Sequence, residues 1–213
     1  MTASVTIEAA EDLFLRALQE VIGQVNRGEL GETNEATVQH HLALCLHLLA
    51  RRENLPFSII MERRIQRANG DVFPKKQRNT AEIDVFFTVG QDQTRCAIEL
   101  KLFKRINHRE PNNRYDSYAD LANLEIYLEE HCDVGFFVLL TDHPHYYDPD
   151  FGDQRPGTAD FSLREGHIYQ AQRELTYRTN RPYGPPLTLR HNYTFQWQND
   201  GNDWRFLILK VSP

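Results

Sequence analysis

Three residues in two neighbouring apolar runs have the types and spacing to do chemistry. Asp84 lies in AEIDVFFTV (81–89), and Glu99 and Lys101 lie two apart in TRCAIELKLF (94–103). Both runs read as strands, and GQDQ (90–93) between them reads as a tight connection, so they are expected to pair as an antiparallel hairpin. Side chains alternate along a strand. Ile83, Val85 and Phe87 should therefore face one way and Glu82, Asp84 and Phe86 the other, with Glu99 and Lys101 opposite Ile98, Leu100 and Leu102. Charges in the middle of apolar strands are costly unless they meet a partner. Two converging carboxylates offer oxygen ligands to a hard cation, Mg²⁺ or Mn²⁺. Such a cation polarises a phosphoryl oxygen and acidifies bound water, and a lysine beside it can balance charge or serve the attacking water. The plainer alternative is a cross-strand ion-pair set on an exposed sheet face.

The elements around these strands follow from periodicity. Residues 8–27 have helical spacing, with Leu13, Leu15, Leu18, Val21, Ile22 and Val25 and with Gly28 past the end. RGELGET separates them from a second helix capped by Thr33 or Asn34. That helix is nearly apolar all round from Leu42 to Ala50 and is expected in the middle of the fold. FSIIMERRIQ (57–66) reads as a strand, 115–131 as an amphipathic helix and VGFFVLLT (134–141) as a strand buried on both faces. Residues 142–166 lack periodicity, as a functional or mobile loop would. YTFQWQ and DWRFLILKV around NDGN carry a hairpin signal. The prediction is one α/β domain over 1–213: a mixed β-sheet core ordered α-β-β-β-α-β over about 33–141, flanked by helices. An N-terminal helix precedes this core, and residues 142–213 form an extension with a C-terminal β-hairpin.

The order of these elements, with Asp84 on one strand and Glu99-Leu100-Lys101 on the next, resembles the PD-(D/E)XK nucleases and their restriction-endonuclease-like fold. DLANLEIYL and GFFVLLTD further resemble a bacterial group of restriction-like proteins of unassigned activity. The motif lacks its first proline, since Ile83 precedes Asp84. The resemblance implies a metal-dependent phosphodiesterase acting on DNA, in restriction or another defence system. Asp84 and Glu99 would hold the metal, the Leu100 carbonyl would add a ligand, and Lys101 would serve the water. Glu35 on the first core helix and Glu62 on the first strand match places where such proteins bring a further acid. A catalytically silent module on the same fold, binding nucleic acid or protein, is the alternative.

Composition sets limits on partners. The net charge is −6, with 40% hydrophobic and 25% charged residues. The charge is unevenly spread: residues 51–114 hold 14 Lys and Arg against 8 Asp and Glu, and 115–163 hold one Arg against 11 acids. This suggests a basic face on an acidic protein. Lys75, Lys76, Arg78, Lys104, Arg105, Arg109 and Arg114 flank the two strands and are the expected phosphate contacts, each also readable as ordinary surface charge. The acidic stretch could instead meet a basic partner protein, and a homodimer is open. Cys45, Cys96 and Cys132 are far apart and expected to be reduced and buried. No signal peptide or apolar span is apparent, so a cytoplasmic address without membrane contact is expected.

Other polar residues are read conservatively. Asp142-His143-Pro144-His145 has no third ligand at helix or strand spacing, and His40-His41 suit a helix packing surface. Asp116 and Asp120 suit a helix start, by the helix dipole. No P-loop, GxGxxG or nucleophile signature is present. Because Asp84 and Glu99 should repel without a cation, removal of Asp84 or Lys101 is expected to leave melting close to wild type.

Overall fold

The computed structural model describes residues 6–30, 33–107, 109–152, 155–199 and 203–213. Helix α1 (Ile7–Asn26) starts at Thr6, whose hydroxyl accepts from the Ala9 amide. It buries Ala10, Leu13, Phe14, Ala17, Leu18 and Val21, the stripe that a 3.6-residue period puts on one side. Helix α2 (Glu35–Arg52) starts at Asn34, whose Oδ1 accepts from the Thr37 amide at 2.9 Å. Strands β1 (Phe57–Gln66), β2 (Thr80–Val89) and β3 (Thr94–Phe103) follow, then α3 (Glu110–Glu130) and β4 (Val134–Thr141). A short helical turn, α4 (Pro144–Tyr147), and the short strands β5 (Ile168–Tyr169), β6 (Tyr193–Thr194) and β7 (Trp197–Gln198) lead to β8 (Arg205–Val211).

Six strands form one mixed sheet in the order β1-β2-β3-β4-β8-β7. Only β3 and β4 run parallel, as the intervening α3 requires, since a parallel pair cannot be joined by a tight turn. Helices α1 and α2 cover one face, where Phe14 stacks on Phe136 at 4.2 Å between ring centroids. Helix α3 and the chain after β4 cover the other, with Leu163, Leu189 and Phe195 in that core. β4 is buried on both faces, as its unbroken apolar run requires.

Three expectations need correction. α2 lies on the outside of the sheet and buries one stripe, so Leu44 and Leu48 are 45% and 53% exposed despite the all-apolar sequence. α3 begins five residues earlier than the periodic stretch, with Pro111 in its first turn. YTFQWQ is two strands: Tyr193–Thr194 pairs with β5, and only Trp197–Gln198 pairs with β8. Of the NDGN turn, residues 200–202 lie outside the described residues, as do 31 and 32 of RGELGET and the first five residues. The stretch after β4 is anchored: the Arg164 guanidinium donates to the carbonyls of Pro149, Phe151 and Gly152 at 2.6–2.9 Å. All three cysteines are buried and free. No helix among the described residues is long and apolar enough to cross a membrane.

Candidate active site

The β2–β3 ladder runs from the Val89–Thr94 pair to the Val85–Ile98 pair and stops there. Past that point the Asp84 carboxylate stands between the strands, its Oδ2 accepting from the Leu100 amide at 2.7 Å and from Lys101 Nζ at 3.3 Å. The regular alternation expected along β2 breaks at this residue. Ile83 packs into the α3-side core with Phe86, whereas Val85 packs toward α1 and α2. β1 does the same, with Ile59 on one face and Ile65 on the other. Register is kept across the break, so the cause is local: Glu62, opposite Asp84, has a left-handed φ of 51°. A non-glycine residue is costly in that region and needs surrounding structure to hold it there.

Lys101 collects four oxygens. Its Nζ donates to the Leu100 carbonyl at 2.7 Å and lies 3.3 Å from Asp84, 3.6 Å from Glu35 Oε1 and 3.6 Å from Asp120 Oδ2. Glu35 is the first residue of α2, and its other oxygen accepts from the Leu102 amide at 3.3 Å. Burial works against the charge on Lys101, but Asp120, Asp84, Glu35 and Glu99 outweigh it and hold the ammonium well above its usual range. Glu99 is 2% exposed, and its Oε1 accepts from the Tyr127 hydroxyl at 3.1 Å. Burial first, then Asp84 and Asp120, raise its pKa well above the ordinary carboxylate range. Burial and Asp84 likewise raise Glu35 and Glu62.

Asp84, Glu99 and Lys101 are thus brought together on the α3 side of the sheet, beside the start of α2. Glu35 joins them through Lys101, and Glu62 borders the same cleft of about 350 Å³. Lys75, Lys76 and Arg78 line that cleft, as does Arg64, which the charge pattern did not single out. Lys104 and Arg105 follow the end of β3 and do not border it; the Arg105 amide donates to Asp142. Arg109 and Arg114 border a separate hollow at the start of α3. Arg114 is 1% exposed and donates to Thr158 Oγ1 at 2.8 Å, which corrects its expected place on a phosphate-binding surface. The early start of α3 makes it a helical residue facing the core.

Sequence reasoning took Asp120 for a helix-start residue and passed over Asn123 and Tyr127. Asp120 is fully buried, accepts from Lys75 Nζ through one oxygen and has no hydrogen-bond partner for the other. It stands ten residues into α3, too far along for a helix-dipole role, which fades within the first turn. The available signal was spacing: Asp120, Asn123 and Tyr127 form an i, i+3, i+7 polar stripe on a helix whose neighbouring positions are apolar. The Lys101 contacts weigh against the expectation that its removal would leave melting close to wild type.

Four carboxylates, those of Asp84, Glu99, Asp120 and Glu35, surround two ammoniums, those of Lys101 and Lys75. That cluster of carboxylates, with an Asp120 oxygen that makes no hydrogen bond and only a 3.6 Å ion pair to Lys101, suits a divalent cation. Asp84 and Glu99 would supply its carboxylate ligands, and the Leu100 carbonyl, whose oxygen already accepts from Lys101, could add its second lone pair. Among the described residues, no group of three or more His, Cys, Asp or Glu side chains is arranged to hold a metal ion. His143 of the Asp142–His145 segment instead bonds Glu110 at 3.1 Å, and His41 bonds Gln24 across the α1–α2 contact at 3.0 Å. Compared with family models, curated proteins and solved structures, the chain has no match in any of the three.

Proposed function

We propose that this cleft hydrolyses phosphodiester bonds in DNA, on a restriction-endonuclease-like core and with Mg²⁺ or Mn²⁺ at Asp84 and Glu99, in restriction or another defence process. The observation that carries the reading is the excess of buried carboxylates around Lys101, facing a cleft rimmed by Arg64, Lys76 and Arg78. The bound cation supplies polarisation of the phosphoryl oxygen and a more acidic water. The rim cations hold the strand by its phosphates, contacts that position without reading sequence. Tyr127 fixes the Glu99 carboxyl, and a bound cation would oppose the upward shift that burial, Asp84 and Asp120 give its pKa. Lys101 is steered by Asp84 and the Leu100 carbonyl, and it orients the attacking water.

The test is incubation of plasmid and single-stranded DNA with wild type, Asp84→Ala and Lys101→Ala, with and without Mg²⁺ or Mn²⁺. Wild type should cleave only with the cation. Asp84→Ala should lose cation binding and cleavage together, and Lys101→Ala should bind the cation but turn over at least about 100-fold more slowly. A wild type that neither binds the cation nor cleaves would falsify this reading. One observation favours the silent binding module in that event: Lys101 already satisfies the Leu100 carbonyl and Asp84 within the chain. That module would bind nucleic acid equally well without any cation.

A further inference from the structure

Beside the cleft lies a second groove, of about 420 Å³, whose walls are largely aromatic and proline: Pro74, Tyr115, Tyr183 and Pro185. The Tyr183 ring is 43% exposed and stands at 87° to Tyr115, 5.5 Å away. Tyr115 is itself fixed by donating to the Pro185 carbonyl at 2.9 Å. Gly184 also lines the groove; a Cβ there would collide with the Tyr115 phenol, so the close packing of Tyr115 on this turn needs a position with no side chain. Asp116 supplies a carboxylate at the groove, accepting from the Tyr183 hydroxyl at 3.2 Å.

The groove and the cleft share Lys75 and Lys76. Lys75 is committed to Asp120, but Lys76 is exposed and has no salt-bridge partner among the described residues. Lys76 and Gln77 both adopt left-handed backbone, with φ of 67° and 48°, a strained pair that sets the ridge between the two depressions. An exposed aromatic ring, a carboxylate and an exposed ammonium line this one groove, the groups that stack a base, bond its amino group and pair a phosphate.

We infer that this groove seats an unpaired, amino-bearing base of a nucleic-acid strand whose phosphate crosses Lys76 into the cleft. The substrate is therefore single-stranded or locally opened beside the bond that is cut. This rests on the phosphodiesterase reading for the cut itself, but the base seat can be measured without it. A paired base inside a duplex cannot reach Tyr183 without being taken out of its stack.

The experiment measures binding of a labelled short single strand, and of the same sequence as a duplex, by fluorescence anisotropy without Mg²⁺ or Mn²⁺. Wild type should prefer the single strand. Tyr183→Leu should weaken single-strand binding by roughly 5- to 100-fold, the range of a lost base–aromatic stack. Tyr183→Phe should restore most of it, because the ring and not the hydroxyl stacks. Equal single-strand affinity for wild type and Tyr183→Leu, a preference for duplex, or no binding of either overturns the base seat. A wild type that cleaves with Mg²⁺ while Tyr183→Leu binds normally removes the seat alone. Binding through Tyr183 with no cleavage under any cation removes the hydrolytic reading and leaves the seat standing.

Discussion

Lys101 holds the buried acids in place, and its removal exposes what each side chain at this site costs. Its side chain is 9% exposed and lies among Asp84, Glu35 and Asp120. Truncation leaves the buried Asp84 carboxylate without its cation and takes from Asp120 one of its two, so Lys101→Ala should lose about 3–5 kcal/mol of unfolding free energy. Urea titration in the absence of divalent cation measures it, and a loss below about 1 kcal/mol would contradict the buried network. Glu99 gives the complementary prediction. Its pKa is raised by burial and then by Asp84 and Asp120, so the folded chain holds this proton more tightly than the unfolded chain. The stability this group contributes is fully present below the unfolded value near 4.3 and is lost as pH rises toward the folded value. Glu99→Gln keeps an oxygen for Tyr127 and removes the titration. Its stability relative to wild type should therefore rise from about pH 4.5 upward, followed by chemical denaturation with EDTA present. A difference independent of pH would show that Glu99 is not held protonated.

At the scale of elements, the site depends on where α2 starts and on where β1 and β2 lose their alternation. Asn34 caps α2 through the Thr37 amide, and the next residue, Glu35, reaches both the Leu102 amide and Lys101. Asn34→Ala should cost about 1 kcal/mol, the ordinary value of an N-cap. It should also weaken any divalent-cation affinity by loosening Glu35, readable by calorimetry against Asn34→Ser, which retains a capping oxygen. Unchanged cation affinity in a destabilised Asn34→Ala would detach Glu35 from the site. The same level explains the break at Asp84. A regular β2 would leave the Leu100 amide to a ladder partner, and the carboxylate takes that place instead.

Over the whole molecule, the part after β4 is built into the core and is no appendage. β8 pairs with β4 along its length, and Leu163, Leu189 and Phe195 pack under α3. Glu125, buried on α3, accepts from the amides of Arg190 and His191 and from the Tyr193 hydroxyl at 2.8–3.0 Å. A chain cut to residues 33–141 would strip this cover and strand a buried carboxylate. It should show no cooperative unfolding transition by circular dichroism, and a sigmoidal melt would contradict the integrated core. The acid-rich stretch 115–163 reads differently in three dimensions. Asp120, Glu125 and Asp160 are buried and engaged inside the fold, and Asp133 pairs with Arg95. Much of that negative balance is therefore structural and does not face a partner.

What can be read along the chain is what local forces decide. The limits of β1, β3 and β4 follow from apolar runs bounded by polar turns, and the start of α2 follows from a capping side chain before an apolar stretch. The pairing of the strands that carry Asp84, Glu99 and Lys101 follows from their short connection. Arg114 went the other way because the polar first turn of α3 hides its start from any periodicity. YTFQWQ split between two sheets because register there is set by partners elsewhere in the chain. Asp120 meets Lys101 and Lys75 only because the β3–α3–β4 crossover folds that helix back over the sheet. A residue's own neighbours set its element, whereas the buried charges it must meet are set by packing between elements distant along the chain.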